Sequence, residues 1–254
     1  MLEVRNVSKV YEGKVAYQAL ANLNLAVKQG EFVGIMGPSG SGKTTLLNVV
    51  STIDKPSSGE VCIAGKNAHQ LNKRQLALFR RRELGFVFQD FNLLQTLTVK
   101  ENIIFPLTLE NVSIQEQEDR VQRIADKLGI TSILNKRTYE ISGGQCQRTA
   151  IARAIIHDPK LILADEPTGN LDSKAAKDVL ETLQRLNQDE GATMMMVTHD
   201  SQAASYCDRV IFIKDGTLYR ELHRTDSQQV FFQEIMNVLT SIGGTPDEFS
   251  AVRV

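Results

Sequence analysis

The residues Gly37-Pro38-Ser39-Gly40-Ser41-Gly42-Lys43-Thr44 match the spacing GxxxxGK[ST] at every fixed position. Phosphates need converging backbone N–H donors with no side chain in the way, and glycines permit that approach. The lysine of such a loop neutralises the terminal phosphates of a nucleotide, and the next hydroxyl, that of Thr44, can ligate magnesium. Thr45 belongs to the same phosphate-binding set. The loop follows the apolar run 32–36 and opens a helical stretch, whose positive dipole end favours an anion. The adjacent carboxylates of Asp165 and Glu166 end the apolar run 161–164. Successive side chains of a strand face opposite sides, which splits their work. Asp165 is then a magnesium contact, direct or through water, and Glu166 a general base that polarises the attacking water. Alone, the pair could simply face solvent; the phosphate loop upstream favours chemistry.

His199 follows the run 193–197 and tops another strand. A lone histidine there is more often structural, yet Thr198-His199-Asp200 is placed to contact a γ-phosphate. Gln89, after 85–88, could orient water or magnesium as a neutral amide. His69, His157 and His223 have no such setting. A second glycine segment, Ile141-Ser142-Gly143-Gly144-Gln145, precedes a helix with Gln147, Arg148 and Arg153. Glycines before a helix make an anion site, with Ser142 as an added hydroxyl, and they equally make an ordinary helix cap. Two anion sites and one acid pair leave two arrangements open. Either one chain holds two nucleotides, or one chain completes the site of another.

These groups must be positioned by an α/β scaffold, because short apolar strands alternate with helical stretches. Strands are expected at 32–36, 61–64, 85–88, 161–164, 193–197 and 210–213, and helices at 43–52, 73–83, 173–188 and 201–206. Between 99 and 158 the strand signal stops, and helices at 116–128 and 144–157 predict an inserted helical subdomain. A terminal helix is expected at 225–240, with Val230, Phe231, Ile235 and Val238 at helical spacing and Phe232 beside them. The last dozen residues read as a loose tail.

Composition narrows the function. With 29 basic and 30 acidic residues the net charge is −1, which argues against generic nucleic-acid binding. The basic cluster Lys73, Arg74, Arg80, Arg81 and Arg82 is most simply a solvated helix face. No apolar run approaches the roughly 18 residues of a spanning helix, and the first residues lack a signal-peptide core. Three scattered cysteines, Cys62, Cys146 and Cys207, make neither a disulfide framework nor a zinc site and suit a reducing cytoplasm.

Taken in order, the phosphate loop, Gln89, ISGGQ, LILADEPTGNLD and Thr-His-Asp resemble the ATP-binding-cassette ATPases over residues 1 to about 222. The resemblance implies a P-loop α/β cassette with a mostly parallel core sheet, an N-terminal antiparallel β-subdomain and the inserted helical subdomain at roughly 98–158. Residues 1–224 would be the ATPase domain and 225–254 a helical extension and tail. In that family two cassettes dimerise head to tail around ATP and Mg2+. By that likeness Ser142, Gly143, Gly144 and Gln145 act in trans, Asp172 lies at the interface in the loop 169–172, and Tyr11 stacks on adenine. A strand-end tyrosine is the less favoured alternative for Tyr11. Cys146 departs from the glutamine or lysine usual after the signature and puts a thiol near that interface.

The same resemblance implies a separate integral-membrane permease, with the cassette at the cytoplasmic face of the cell membrane. FQDFNLLQTLTVKENI and ADEPTGNLDSK look like the exporter branch, which includes lipoprotein-releasing and macrolide-efflux cassettes. STIDKPSSG, IIHDP and VFFQEIM are similar to bacitracin/lantibiotic-resistance cassettes, which often work with a sensor histidine kinase. A soluble regulatory ATPase acting on ribosomes or DNA is the alternative, and relatives of that kind usually carry two cassettes or a long coiled coil.

Overall fold

The computed structural model describes residues 1–13 and 15–243; past Gly243 the expected loose tail lies outside the described residues. The chain runs through β1 (Leu2–Tyr11), β2 (Tyr17–Val27), β3 (Phe32–Met36), α1 (Lys43–Val50), β4 (Ser58–Ile63) and β5 (Lys66–Asn67). It continues with α2 (Lys73–Glu83), β6 (Leu84–Phe88), α3 (Val99–Thr108), α4 (Ile114–Leu128), α5 (Gly143–Ile155) and β7 (Leu161–Asp165). It ends with α6 (Ser173–Glu190), β8 (Met194–Val197), α7 (Ser201–Ala204), β9 (Arg209–Lys214), β10 (Thr217–His223) and α8 (Gln228–Ile242).

Six strands form the core sheet in the order β10-β9-β3-β8-β7-β6, parallel apart from β10. β3 and β8 are buried at every position, which is why both read as unbroken apolar runs. Their side chains alternate between two cores. Val33, Ile35, Leu163, Met195 and Ile211 face a smaller antiparallel sheet, β2-β1-β4-β5, together with α1 and Phe79 of α2. Phe32, Met36, Ala164, Met196 and Phe212 face the helices α3 to α8.

Register places the working end of the sheet. Ile35 pairs with Val197, Val197 with Asp165, and Asp165 with Phe88. Four parallel strands therefore finish level, and the residues that follow emerge from one edge, where α/β sheets bind ligands.

Several expectations shift. The helix expected from 43 to 52 stops at Val50, since Ser51 caps it and Thr52 turns left-handed at φ 62. The strand at 61–64 starts at Ser58 and ends before Ala64, which turns at φ 49. α7 stops at Ala204 rather than 206. α8 begins later than 225 because the Ser227 hydroxyl accepts the Val230 N–H at 3.4 Å. Phe231, Ile235, Val238, Leu239 and Ile242 are buried, each contributing roughly 1.5–3 kcal/mol of transfer free energy that seats α8 on the core. Val230, expected on that stripe, is 46% exposed, being about 100° round the helix from Phe231. Phe232 is half-buried. Among the described residues no helix is long and apolar enough to cross a membrane.

Candidate active site

α1 starts behind Gly42, whose backbone is left-handed at φ 104; a Cβ there would stand 2.5 Å from the Ala19 carbonyl oxygen. Glycine alone lets the loop press this closely on β2. Lys43 Nζ donates to the carbonyls of Gly37 at 2.8 Å and Pro38 at 2.9 Å, which keeps the ammonium inside the loop. Burial pulls its pKa down, while Glu166 and Asp165 pull it up. The Ser41 hydroxyl is buried without a hydrogen-bond partner. An orphaned buried hydroxyl is costly, and a phosphate oxygen in the loop would satisfy it. Thr44 is exposed on the first turn of α1, with Thr45 half-buried beside it.

Asp165 ends β7. Burial, and then the neighbouring Glu166, push its carboxyl up, against the pull of Lys43. Two carboxylates beside one ammonium leave negative charge that a cation would relieve. The Asp165 carboxylate and Thr44 hydroxyl are hard oxygen donors of the kind magnesium takes, so the residues present fit that ion.

Glu166 sits at φ 45, an uncommon backbone for a residue with a side chain. Its N–H bonds to the Val197 carbonyl at 2.9 Å. Its carboxylate accepts the Thr198 hydroxyl at 3.1 Å and the His199 N–H at 3.0 Å, and it meets His199 Nδ1 at 2.8 Å. The structure therefore brings the candidate base and the candidate phosphate contact together. It adds a bond to Glu166 from Thr198, a fully buried hydroxyl that the sequence placed with His199 and Asp200 as a γ-phosphate contact.

That Glu166 hydrogen bond is the largest cause raising the His199 pKa; burial works against it, Asp200 assists and Lys43 opposes. A raised pKa means that the ion pair stabilises the fold fully below about 6.5 and is lost as pH climbs through the raised value. We expect the melting temperature of the nucleotide-free chain, relative to His199→Ala, to lose its advantage over the interval that begins near pH 6.5 and runs upward through the raised value. An advantage that is constant across that interval would remove the ion pair.

Gln89 is held elsewhere. Its Nε2 donates to Asn170 Oδ1 at 3.1 Å, so its side chain joins the loop 169–172 rather than Asp165 or Thr44. Asp172 caps α6, accepting the N–H groups of Lys174 at 3.1 Å and Ala175 at 2.9 Å. Ser142 caps α5 in a reciprocal box: its hydroxyl accepts the Gln145 N–H at 3.3 Å, and Gln145 Oε1 accepts the Ser142 N–H at 3.0 Å. The cap leaves Ser142 and Gly143 exposed at the helix N-terminus, while Gly144 is buried against Ala175. Cys146 points inward: its thiol donates to the Thr138 carbonyl at 3.6 Å, and burial raises its pKa, so it is a poor nucleophile.

Tyr11 is 39% exposed, and Lys9 Nζ lies 4.8 Å from its ring centroid, so one face already carries a cation. Its cross-strand partner Tyr17, which the sequence analysis passed over, donates its hydroxyl to the Gly40 carbonyl at 3.0 Å. Tyrosines flanking a short hairpin ahead of the loop were the available signal. The basic cluster on α2 is largely committed within the chain: Arg80 bonds the Thr52 carbonyl at 3.1 Å, and Arg81 and Arg82 meet Glu110 at 3.2 and 2.8 Å.

The chain is similar to known proteins along its whole length. A family profile described as ABC transporter matches residues 20–169. The ABC transporter ATP-binding protein YxdL of Bacillus subtilis is 59% identical over 254 residues, covering 100% of this chain and 99% of the relative. The bacitracin export ATP-binding protein BceA of Halalkalibacterium halodurans is 51% identical, covering 98% and 99%. The dimeric post-hydrolysis state of the ATP-binding cassette MJ0796 bound to ADP and Pi superposes with a TM-score of 0.80 at 41% identity, covering 89% of this chain and 100% of that one. The chain belongs to the ABC transporter family.

Proposed function

We propose that this chain is the ATP-hydrolysing motor subunit of a membrane transporter, and that two copies close head to tail on two Mg2+–ATP to drive a separate permease. The observation that carries this reading is the convergence of Lys43, Asp165, Glu166 and His199 at the level ends of adjacent strands, with Glu166 2.8 Å from His199. Lys43 neutralises the terminal phosphates, and Glu166 takes the proton of the attacking water. His199 holds Glu166 and exchanges it for the γ-phosphate. Bound magnesium supplies charge neutralisation for the transferred group, held by Thr44 and Asp165, with Gln89 orienting it or the water. Tyr11 stacks on adenine. Ser142 and Gly143, exposed at the α5 N-terminus, with Gln145 half-buried and Gly144 buried behind them, reach the nucleotide of the other copy, and Asp172 lies where the two copies meet. In this division residues 1–224 are the ATPase domain, 98–158 its helical subdomain and 225–254 an extension.

The permease surface is a largely apolar groove of about 500 Å³ along β6 and α3, lined by Ile53, Phe86, Phe88, Asn92, Phe105 and Leu109. Docking there would hold the chain at the cytoplasmic face of the cell membrane. The 51% identity to a bacitracin export cassette supports antimicrobial-peptide resistance as the task. A sensor histidine kinase reached through the permease is a further partner in this reading, carried by the family resemblance alone. Lipoprotein-releasing and macrolide-type export are the competing tasks. Co-expressed with a permease of the bacitracin-export kind, the chain should sediment with membranes. Phe105→Asp, which places a charge in the groove, should return most of it to the soluble fraction with ATP binding intact. Recovery with ribosomes or DNA and no membrane protein would overturn the assignment.

A further inference from the structure

Gln89 is gripped more closely than its place at the end of β6 requires. Besides the bond from its Nε2 to Asn170 Oδ1 at 3.1 Å, Asn170 Nδ2 donates to the Gln89 carbonyl at 3.3 Å and to Asp90 Oδ1 at 2.7 Å. The Gln89 side chain also lies against the backbone of Gly169, where a Cβ would stand 2.9 Å from its Cδ and Nε2. One residue further on, Leu171 packs on the exposed start of α5, with its Cδ2 3.3 Å from where a Gly143 Cβ would be. The loop 169–172 thus touches Gln89 on one side and the Ser142-Gly143 helix start on the other.

We infer that Asn170 is a positioning residue, which restrains the Gln89 amide in the nucleotide-free chain and releases it when a second copy presses on the α5 N-terminus. The inference rests on the reading of Gln89 as the amide that orients metal or water. While Nε2 stays bonded to Asn170, the carbonyl oxygen on the same planar amide cannot travel to Asp165 and Thr44. Contact at Ser142 and Gly143 bears on Leu171 and so on Asn170, a contiguous packed route from the neighbouring copy to the hydrolytic centre. Restraint of this kind lowers apparent metal affinity by the fraction of chains in which Gln89 is free.

Two substitutions loosen the restraint by different physics. Asn170→Ala removes the hydrogen bonds, and Gly169→Ala pushes away the flexible end of Gln89 at a position whose backbone accepts a side chain. The full chain is titrated with Mn2+ by calorimetry in the presence of ADP, which lacks the γ-phosphate that closes two copies, at a concentration where light scattering shows a monomer. Both substitutions should tighten Mn2+ binding about five-fold, the worth of one ordinary hydrogen bond. In nucleotide-free protein, the Gln89 side-chain amide signals should lose their distinct 15N shift in Asn170→Ala. Once Gln89→Ala is present, Asn170→Ala should change nothing further. If Gln89→Ala weakens Mn2+ binding but Asn170→Ala and Gly169→Ala leave it unchanged or weaken it, the restraint is refuted and the metal-orienting reading stands. If Gln89→Ala itself has no effect on Mn2+, that reading fails and the restraint falls with it.

Discussion

Glu166→Gln should cut ATP turnover by about 10²–10⁴-fold, the usual loss on removing a general base, and leave the nucleotide bound. The geometry explains why the fold survives. A glutamine with its amide oxygen in the place of Oε1 still accepts the His199 N–H, now held at 3.0 Å, and its amide N–H2 in the place of Oε2 can donate to the Thr198 hydroxyl, now 3.1 Å away. Only the charged contact with His199 Nδ1 and the capacity to take a proton are lost. Two copies that bind ATP and cannot split it should therefore stay closed, and size-exclusion chromatography with ATP should show a dimer that wild type forms only transiently. Phosphate release at the wild-type rate, or a monomer under saturating ATP, would remove Glu166 from its role. This variant tests the composite site too, because a chain competent alone would gain no dimer from trapped nucleotide.

What could be read in the sequence follows from how local each signal is. β3 and β8 are buried on both faces, so their apolar runs announced them, and the GxxxxGK[ST] spacing fixed the loop because each glycine answers to a backbone contact. β1 and β2 gave no strand signal of their own. Asn6 and Asn22 turn left-handed at φ 51 and shift the register, which breaks the two-residue alternation that marks a half-buried strand. β10 is an edge strand with no buried position, so it carries no apolar pattern at all. The site divides in the same way. Asp165, Glu166 and His199 stood out as polar residues ending apolar runs, whereas the Gln89–Asn170 contact joins residues 81 apart through two uncharged amides. Tyr17 and Thr198 act through hydroxyl contacts, to the Gly40 carbonyl and to Glu166, that only the folded register creates. Asp172 and Ser142 show a further limit, since helix capping and a contact to a second copy demand the same residue types.

Lys43→Ala should weaken ATP binding roughly 10–150-fold, from loss of charge-assisted hydrogen bonds worth about 1.5–3 kcal/mol. The nucleotide-free chain should not suffer correspondingly. Burial already lowers the lysine pKa, so the fold carries a desolvation cost for this ammonium that a bound phosphate would offset. Removing the charge relieves that cost, although it also removes the bonds to the Gly37 and Pro38 carbonyls that shape the loop. Lys43→Gln separates the two effects, because its amide can donate to those carbonyls without a charge. If charge is what binds phosphate, both variants should lose ATP affinity alike, with AMP affinity little changed, while the melting temperature of each nucleotide-free chain stays near wild type. Should Lys43→Gln bind ATP normally and only Lys43→Ala fail, the lysine would be a scaffold for the loop, and the phosphate would have to be held by backbone N–H groups and the Ser41 hydroxyl.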